Sequence, residues 1–366
     1  MTEENGLGDT MKKLLFCFPV LAFILFSSAL HAVEYSSIYK GIRPLGMGGA
    51  FVAVSNDQNA LFYNPAGLSF IEQRRLILLS VEAELGQGAY DAYTDALDVD
   101  TDNEQEVAEF LREYIGDYSH AAAAVFPYYI RPHFAFGIFS SAKTNFIARN
   151  FQYPSLIIDS TGDAGAAIGY AHSLLDDDLS IGASLKYVVR KSINEEYTVP
   201  DITSDNFDDM VDDDVQDGSG TLLDVGVIYR FRDVTIGQKN VDFQVGLSAN
   251  NLIGSDMGDA RDLEEHIDIG FAVYVDSWVF ALDYVDVAGM IDDDDDPGKR
   301  LRIGAEYDFG NLFTVRAGFY QGYLTLGLEI DAKYVQLDLL TYAEEVGTYA
   351  GQMDDRRYVI GLKFGF

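Results

Sequence analysis

The chain has 366 residues, a formal net charge of −34, 13% aromatic residues and 34 glycines. So acidic a composition excludes a nucleic-acid partner, because phosphates require clustered Lys and Arg. No internal apolar run is long enough for a spanning helix, which excludes a helical membrane bundle and leaves open a wall built of strands.

Residues 11–32 read MKKLLFCFPVLAFILFSSALHA. Lys12 and Lys13 form a positive start, an apolar run follows, and Ser27, Ser28, Ala29 and Ala32 form a small-residue exit, which together predict a signal peptide cleaved after Ala32 or Ala29. Residues 1–10 are acidic and foreign to such a signal, so Met11 is the expected start. The only cysteine, Cys17, lies inside the signal, so the mature chain is expected to lack disulfides and cysteine-bound metals. Cleavage takes away two lysines and three carboxylates and leaves a net charge of −33. The acidity therefore belongs to the mature chain.

Residues 41–71 come next, with Gly41, Gly46, Gly48 and Gly49 crowded ahead of Ala50 and then Asn64-Pro65-Ala66-Gly67. A phosphate-binding loop would need a strand before these glycines and a long helix after them; Pro44 and Pro65 deny both. What remains is a tight turn of small residues that lets backbone pass close to a wall. The run 45–54, LGMGGAFVAV, and the run 60–68, ALFYNPAGL, resemble the N-terminal signature of the FadL/PorV-like outer-membrane β-barrel superfamily. That resemblance implies a fourteen-stranded transmembrane antiparallel barrel with an N-terminal hatch in its lumen. It also implies a hatch motif at Asn64, Pro65 and Ala66, and either a channel for hydrophobic molecules such as long-chain fatty acids or a secretion-associated barrel that receives protein partners. Gly46, Gly48, Gly49, Asn64, Pro65 and Ala66 are the candidate gate residues. The expected division is signal 1–32, hatch 33–74 and barrel 75–366.

From Arg75 onward the periodicity is two. Val241, Phe243, Val245 and Leu247 alternate with Asp242, Gln244, Gly246 and Ser248, and the segments at 267–276 and 301–309 repeat the pattern. Charge recurring on one face while the other stays apolar suits a wall between lipid and a wet lumen, and makes the chain all-β. Fourteen such segments begin near Arg75, Ser119, His133, Thr161, Leu179, Gly220, Val241, Glu265, Trp278, Lys299, Leu312, Tyr323, Tyr334 and Arg356. Connections alternate long and short, apart from the tight turn at Gln321-Gly322, as outer-membrane barrels arrange them.

The last segment places Tyr358, Ile360, Leu362, Phe364 and Phe366 on one face. This is the expected recognition signal for barrel-assembly machinery, on a strand that must pair with the first to leave no edge. Tyr128, Tyr129, Trp278, Tyr284, Tyr307, Phe309, Tyr320 and Tyr323 are candidates for aromatic girdles at the membrane surfaces. Thr101-Asp102-Asn103-Glu104 predicts a capping box, followed by a short amphipathic helix carrying Val107, Phe110, Leu111, Tyr114 and Ile115. The aspartate runs at 205–217 and 292–296 lack calcium-loop spacing and read as solvated loop charge. Ser119, His120 and Asp117 suggest a triad, but neighbours on a strand face opposite ways. No cofactor or metal motif is present, and an enzyme is not expected. The expected setting is the outer membrane, with its lipids, the assembly machinery and either a hydrophobic ligand or a secreted protein as partners.

Overall fold

The computed structural model describes residues 34, 36–254, 256–291, 296–310 and 312–366; the signal-peptide segment lies outside the described residues. Fifteen strands form one antiparallel sheet: β1 Arg75–Gly86, β2 Tyr118–Val125, β3 Tyr128–Arg131, β4 Phe134–Arg149, β5 Ser155–Leu174, β6 Leu179–Thr198, β7 Gln216–Ile236, β8 Lys239–Asn250, β9 His266–Val275, β10 Trp278–Tyr284, β11 Leu301–Asp308, β12 Phe313–Tyr320, β13 Tyr323–Asp331, β14 Val335–Glu345 and β15 Asp354–Gly365. From β4 to β15 each strand pairs with the next, β2 and β3 both pair with β1 and β4, and β15 pairs with β1, so the sheet closes. Strands β2 and β3 share one place between β1 and β4, giving fourteen positions. The break falls at Phe126-Pro127, because Pro has no N–H to give the ladder. Phe126 N–H still bonds the Ser80 carbonyl (2.9 Å) and the Pro127 carbonyl accepts from Ile138 N–H (3.1 Å), so neither neighbour loses its ladder there.

The seam is complete to the last residue. Leu76 and Phe366 exchange both backbone hydrogen bonds at 2.9 Å, and the register runs from Ile77↔Gly365 to Gly86↔Arg357 with one bulge between Ile77 and Leu79. Closure leaves no row of unpaired backbone groups, which hydrocarbon would penalise by several kcal/mol each.

Burial is inverted relative to a water-soluble domain. Tyr358, Ile360, Leu362 and Phe364 of β15 are exposed, and the alternate Arg357 and Lys363 are buried. The same holds on β10 and β11, where Phe280, Leu282, Leu301 and Ile303 face out while Asp283, Arg302 and Glu306 face in. An apolar exterior around a polar interior is the arrangement a lipid solvent selects.

Strands β5, β6 and β7 have 20, 20 and 21 residues, about twice the 9–11 that span a bilayer. Strands β5 and β7 start earlier than the sequence pattern suggests, at Ser155 rather than Thr161 and at Gln216 rather than Gly220, because ladder pairing with β6 continues above the membrane. The helices Glu104–Glu113, Val199–Ile202 and Phe207–Asp213 pack on this protruding wall: Val107, Ala108 and Leu111 join Ala148, Ile193, Tyr197, Val199 and Ile202 in a separate apolar core. The first helix is capped two residues later than Thr101 suggests. Asn103 is the cap, accepting from Gln105 N–H (3.1 Å) and donating to Glu106 (2.9 Å).

Residues 36–74 run through the lumen and touch the wall directly, through glycines. Gly182 of β6 faces Gly226 of β7, Gly246 of β8 faces Gly270 of β9, and Gly304 of β11 faces Gly318 of β12. A Cβ on Gly304 would lie 2.2 Å from the Met47 carbonyl oxygen, one on Gly182 2.4 Å from Pro65 and one on Gly246 2.7 Å from the Val52 oxygen. These contacts are closer than any side chain permits, so the belt of glycines is what admits a second layer of chain. Gly304→Val, a good strand residue with no room for its methyls, should keep the barrel closed and heat-modifiable on gels while expelling the inner segment. Single-channel recording in planar bilayers should then show conductance several-fold above wild type; an unchanged trace would mean that the segment does not occlude the lumen.

Candidate functional site in the barrel lumen

The glycine turn fixes the inner segment to the β11–β12 wall. A short helix, Ile42–Gly46, ends at Met47, and Thr325 Oγ1 donates to the Gly46 carbonyl at 3.1 Å. Gly48 and Gly49 then adopt φ of +62° and +79°, conformations that side chains resist. Gly48 sits on the backbone of Ile303 and Phe319, and Gly49 against Tyr320 and Arg302. Beyond the turn, Asp283 of β10 accepts from the N–H groups of Phe51 (2.5 Å) and Val52 (2.7 Å).

Asn64 is fully buried and links three layers of chain. Its Oδ1 accepts from Ala66 N–H (3.1 Å), capping the 3₁₀ turn Pro65–Phe70, and its Nδ2 donates to the Val52 carbonyl at 2.8 Å. Pro65 lies on Gly182, and Ser180 Oγ donates to the Ala66 carbonyl at 2.7 Å. The six candidate gate residues thus occupy two separate wall contacts, Gly46, Gly48 and Gly49 on β11–β13 and Asn64, Pro65 and Ala66 on β6–β8, joined through Val52.

The lumen has two unlike sides. On the side of β11–β15 and β1 the inner segment is held by ion pairs. Arg43 makes a two-pronged bond to Glu306 (2.8 Å from each nitrogen) and reaches Asp57 at 2.9 Å, while Arg316 links Glu306 (2.6 Å) to Glu329 (2.5 Å). Lys40 bonds Glu34 and Glu344, both at 2.7 Å, and Glu34 also meets Lys143 (3.3 Å) and Arg357 (3.4 Å). Burial alone would raise the pKa of Glu34; Lys143, Lys40 and Arg357 outweigh it and hold the carboxyl well below its ordinary range.

On the side of β3–β7 the packing is apolar, with hydrogen bonds at its edges from Ser141 to the Ile38 carbonyl (2.8 Å) and from Ser184 to the Leu61 carbonyl (3.1 Å). Ile38, Tyr39, Leu61, Phe62 and Leu68 of the inner segment pack on Phe126, Phe139, Val188 and Leu222 of the wall, with Met257 and Leu263 above and Ile71, Ile77 and Ile130 below. Aromatic rings run through the middle, with centroids 5.1 Å (Tyr39–Phe126), 5.3 Å (Phe62–Phe126) and 5.7 Å (Phe62–Phe139) apart. Two cavities flank this column, of about 90 and 140 Å³. On the column side apolar groups line them, Ile38 in both and Phe62 in the second; elsewhere the lining is charged, by Glu34, Lys143 and Arg357 in the first and Lys186, Asp268 and Arg302 in the second. An apolar void of roughly 150 Å³ holds one benzene ring, and drug-sized ligands need about 300–1,000 Å³. Anything beyond a single ring requires the segment to move.

Several expected residues fall elsewhere. Tyr128 and Tyr320 point into the lumen instead of joining a girdle, Tyr128 in the apolar column and Tyr320 beneath Arg302, 3.9 Å from its guanidinium. Trp278, Tyr307 and Phe309 do cluster outside at the short-turn end, with centroids 4.5 Å apart. Ser119 faces out of the barrel; His120 faces in, its Nδ1 2.6 Å from Asn145 Oδ1 and its Nε2 3.0 Å from Glu84, so the two never meet. Residues 292–295 lie outside the described residues; Asp296 accepts from Gly298 and Ala350 N–H, and the Ala350 bond leads in lowering its pKa. The ion pairs and the aromatic column escape a reading of local pattern, since their partners stand far apart in sequence.

The closed fourteen-position barrel with a chain-filled lumen defines a class, and comparison with known proteins places it. A structure described as the TodX monoaromatic hydrocarbon channel deltaS2 mutant aligns at TM-score 0.50 with 16% identity, covering 89% of this chain and 98% of that one. The Pseudomonas putida toluene transporter TodX aligns at 0.46 with 12% identity over 92% and 99%, and the CymD monoaromatic hydrocarbon channel at 0.47 with 12% over 91% and 98%. A family model described as "F plasmid transfer operon, TraF, protein" matches residues 155–331. No curated protein matches the sequence. The chain has the fold of that TodX channel structure, a closed antiparallel barrel.

The depressed pKa of Glu34 sets the pH window of its anchor. That contribution is complete above the ordinary carboxyl range and is lost only as pH falls through the lower, folded value. A cysteine at Ser37 should therefore react with an impermeant maleimide at one rate from pH 8 to about 5, after correction for thiolate fraction. Glu34→Gln should raise that rate at least tenfold throughout, since three cations lose their shared partner.

Proposed function

We propose that the protein is an outer-membrane channel for small hydrophobic molecules, resting closed. The observation that carries this reading is the apolar column, which runs from Met257 and Leu263 at the long-loop end to Ile71, Ile77 and Ile130 at the short-turn end of an otherwise charged lumen. A pore for ions or sugars has no use for such a column, while an apolar solute crossing a charged lumen needs one. The route lies between the inner segment and β3–β7, where the packing is apolar and the ion pair to be parted is Glu34–Lys143, at 3.3 Å. The opposite side, welded by Arg43, Lys40 and Glu34, acts as the hinge.

As to substrate, single-ring hydrocarbons suit the resting cavities better than long acyl chains. The TodX structure that shares the fold is itself described as a monoaromatic hydrocarbon channel. Long-chain fatty acids would demand a larger opening of the same route. The outward aromatic face of β15, Tyr358 to Phe366, is proposed as the contact for barrel-assembly machinery, and the apolar exterior as the contact for membrane lipid.

The test is uptake of radiolabelled toluene and oleate by cells whose outer membrane lacks its own hydrophobe channel. Wild type should raise toluene uptake above the empty vector. Asn64→Ala, which frees the turn from Val52, should raise it several-fold further with the barrel intact. Phe139→Asp or the milder Val188→Asn should lower it at least tenfold; variants as active as wild type would rule out this route.

A further inference from the structure

The connection between β8 and β9 turns inward. Residues 256–264 carry no helix or strand, yet Met257, Ala260 and Leu263 are 0%, 4% and 1% exposed at the top of the apolar column. Backbone buried this way needs partners. Met257 N–H donates to Asp262 Oδ1 (2.8 Å), Arg261 N–H to Ser192 Oγ (2.8 Å), and the Arg261 guanidinium pairs with Asp159 (2.7 Å). The wall beneath is cut to receive the segment: a Cβ on Gly218 would lie 1.4 Å from the Met257 carbonyl oxygen, and one on Gly220 2.9 Å from Met257 Sδ. All of this is polar attachment at the edges of an apolar seat. None of it is sheet.

Arg190 of β6 stands where this segment meets the inner one. It is 0% exposed, with Nε and Nη2 on Asp163 at 2.7 and 2.8 Å. Its remaining nitrogen, Nη1, donates to Ser36 Oγ (2.8 Å) and to the carbonyls of Arg261 (3.1 Å) and Asp262 (3.3 Å). One nitrogen therefore bonds both layers of chain, and departure of either lets water reach it, so that its remaining bond can be exchanged for one to water at little cost.

We propose that residues 256–264 form an outer lid whose Met257, Ala260 and Leu263 occupy the outer seat for an apolar ligand, and that Arg190 is a positioning residue that makes lid lifting and release of the Ser36 end one event. The identity of the ligand rests on the channel reading above; the coupling does not.

The experiment is thiol labelling in intact outer membranes, in a Cys17→Ser background, with one reporter cysteine at Ala260 (lid) or Ile38 (inner segment). Asp159→Asn removes the ion pair to Arg261 of the lid, while its other contact, with Asn145 of the wall (3.5 Å), can be kept by the amide. It should raise labelling at both reporters about fivefold, the scale of a partly exposed ion pair. Adding Ser36→Ala, which cuts only the bond to Arg190, should leave the Ala260 response and abolish the Ile38 response. A rise at Ala260 alone with Ser36 present, or no rise at either, overturns the coupling. Toluene at saturation should speed both reporters in otherwise unaltered protein; no change at Ala260 overturns the seat. Labelling reads motion and not passage, so a wild type that takes up no toluene sinks the channel reading while these outcomes still decide the lid.

Discussion

A closed sheet has a fixed bore, and everything inside this one follows from how little space that leaves. Fourteen strand positions enclose a lumen into which a second layer of backbone fits only where the wall has no side chains. Glycines on β6–β9, β11 and β12, paired across neighbouring strands, supply that absence at the height where residues 46–66 pass. They set the path of the inner segment more firmly than any attractive contact does, because a single Cβ in the wrong place would push backbone against backbone. Gly48 and Gly49 answer from the other side with positive φ. Clearance on the wall and turn on the segment form one fitted joint.

Once the path is fixed, the chemistry of the two sides differs for a physical reason. A buried ion pair contributes little net stability but is costly to break from one side, so it serves as a fixed point. Apolar contact is nondirectional and can be exchanged for contact with an apolar solute at small cost. Arg43–Glu306, Lys40–Glu344 and Glu34–Arg357 place most of the fixed points on one arc of the wall, with Glu34–Lys143 a further tie to β4. The rings of Tyr39, Phe62, Phe126 and Phe139 place the exchangeable contact on the other. A lumen uniformly charged or uniformly greasy would have no preferred line of parting.

Much of this wall was legible from sequence. The alternation in 241–250, 267–276 and 301–309, the terminal face Tyr358 to Phe366, and the rhythm of long and short connections are local, and the sheet preserves them. The Asn64-Pro65-Ala66 turn also kept its form, with Asn64 as the cap. What was not legible is what depends on curvature or on distance along the chain. Tyr128 and Tyr320 sit near strand ends, as girdle residues do, but pleat and register turn them inward. Pro127 is the visible mark of the β2–β3 break; that Phe126 beside it fills the lumen is set by the partner Gly137, which leaves space for the ring. The cap shifted from Thr101 to Asn103 because Glu106, rather than Glu104, reaches back to the N-terminal backbone, accepting from Asp100 N–H. The wall glycines were present in the sequence as blanks on the polar face, and their meaning needed the inner chain beside them.

The strong acidity and the proposed passage of apolar molecules are compatible once the charges are placed. Many lumen carboxylates are tied to Arg or Lys, Glu306 and Glu344 on one arc and Asp163 and Asp224 on the other, so these pairs present fixed dipoles to the apolar column. The unpaired excess lies mostly in the long connections, such as Asp205, Asp208, Asp209, Asp212 and Asp213, above the membrane. There the protruding strands β5–β7 lift it clear of the hydrocarbon and the outer helices bury their own apolar face against the wall. A neutral solute feels no force from that rim, whereas anions are repelled and cations are drawn to it. Under the channel reading proposed above, the rim would keep anions away, and the cost of burying an unpaired charge in the apolar column behind it would turn cations back.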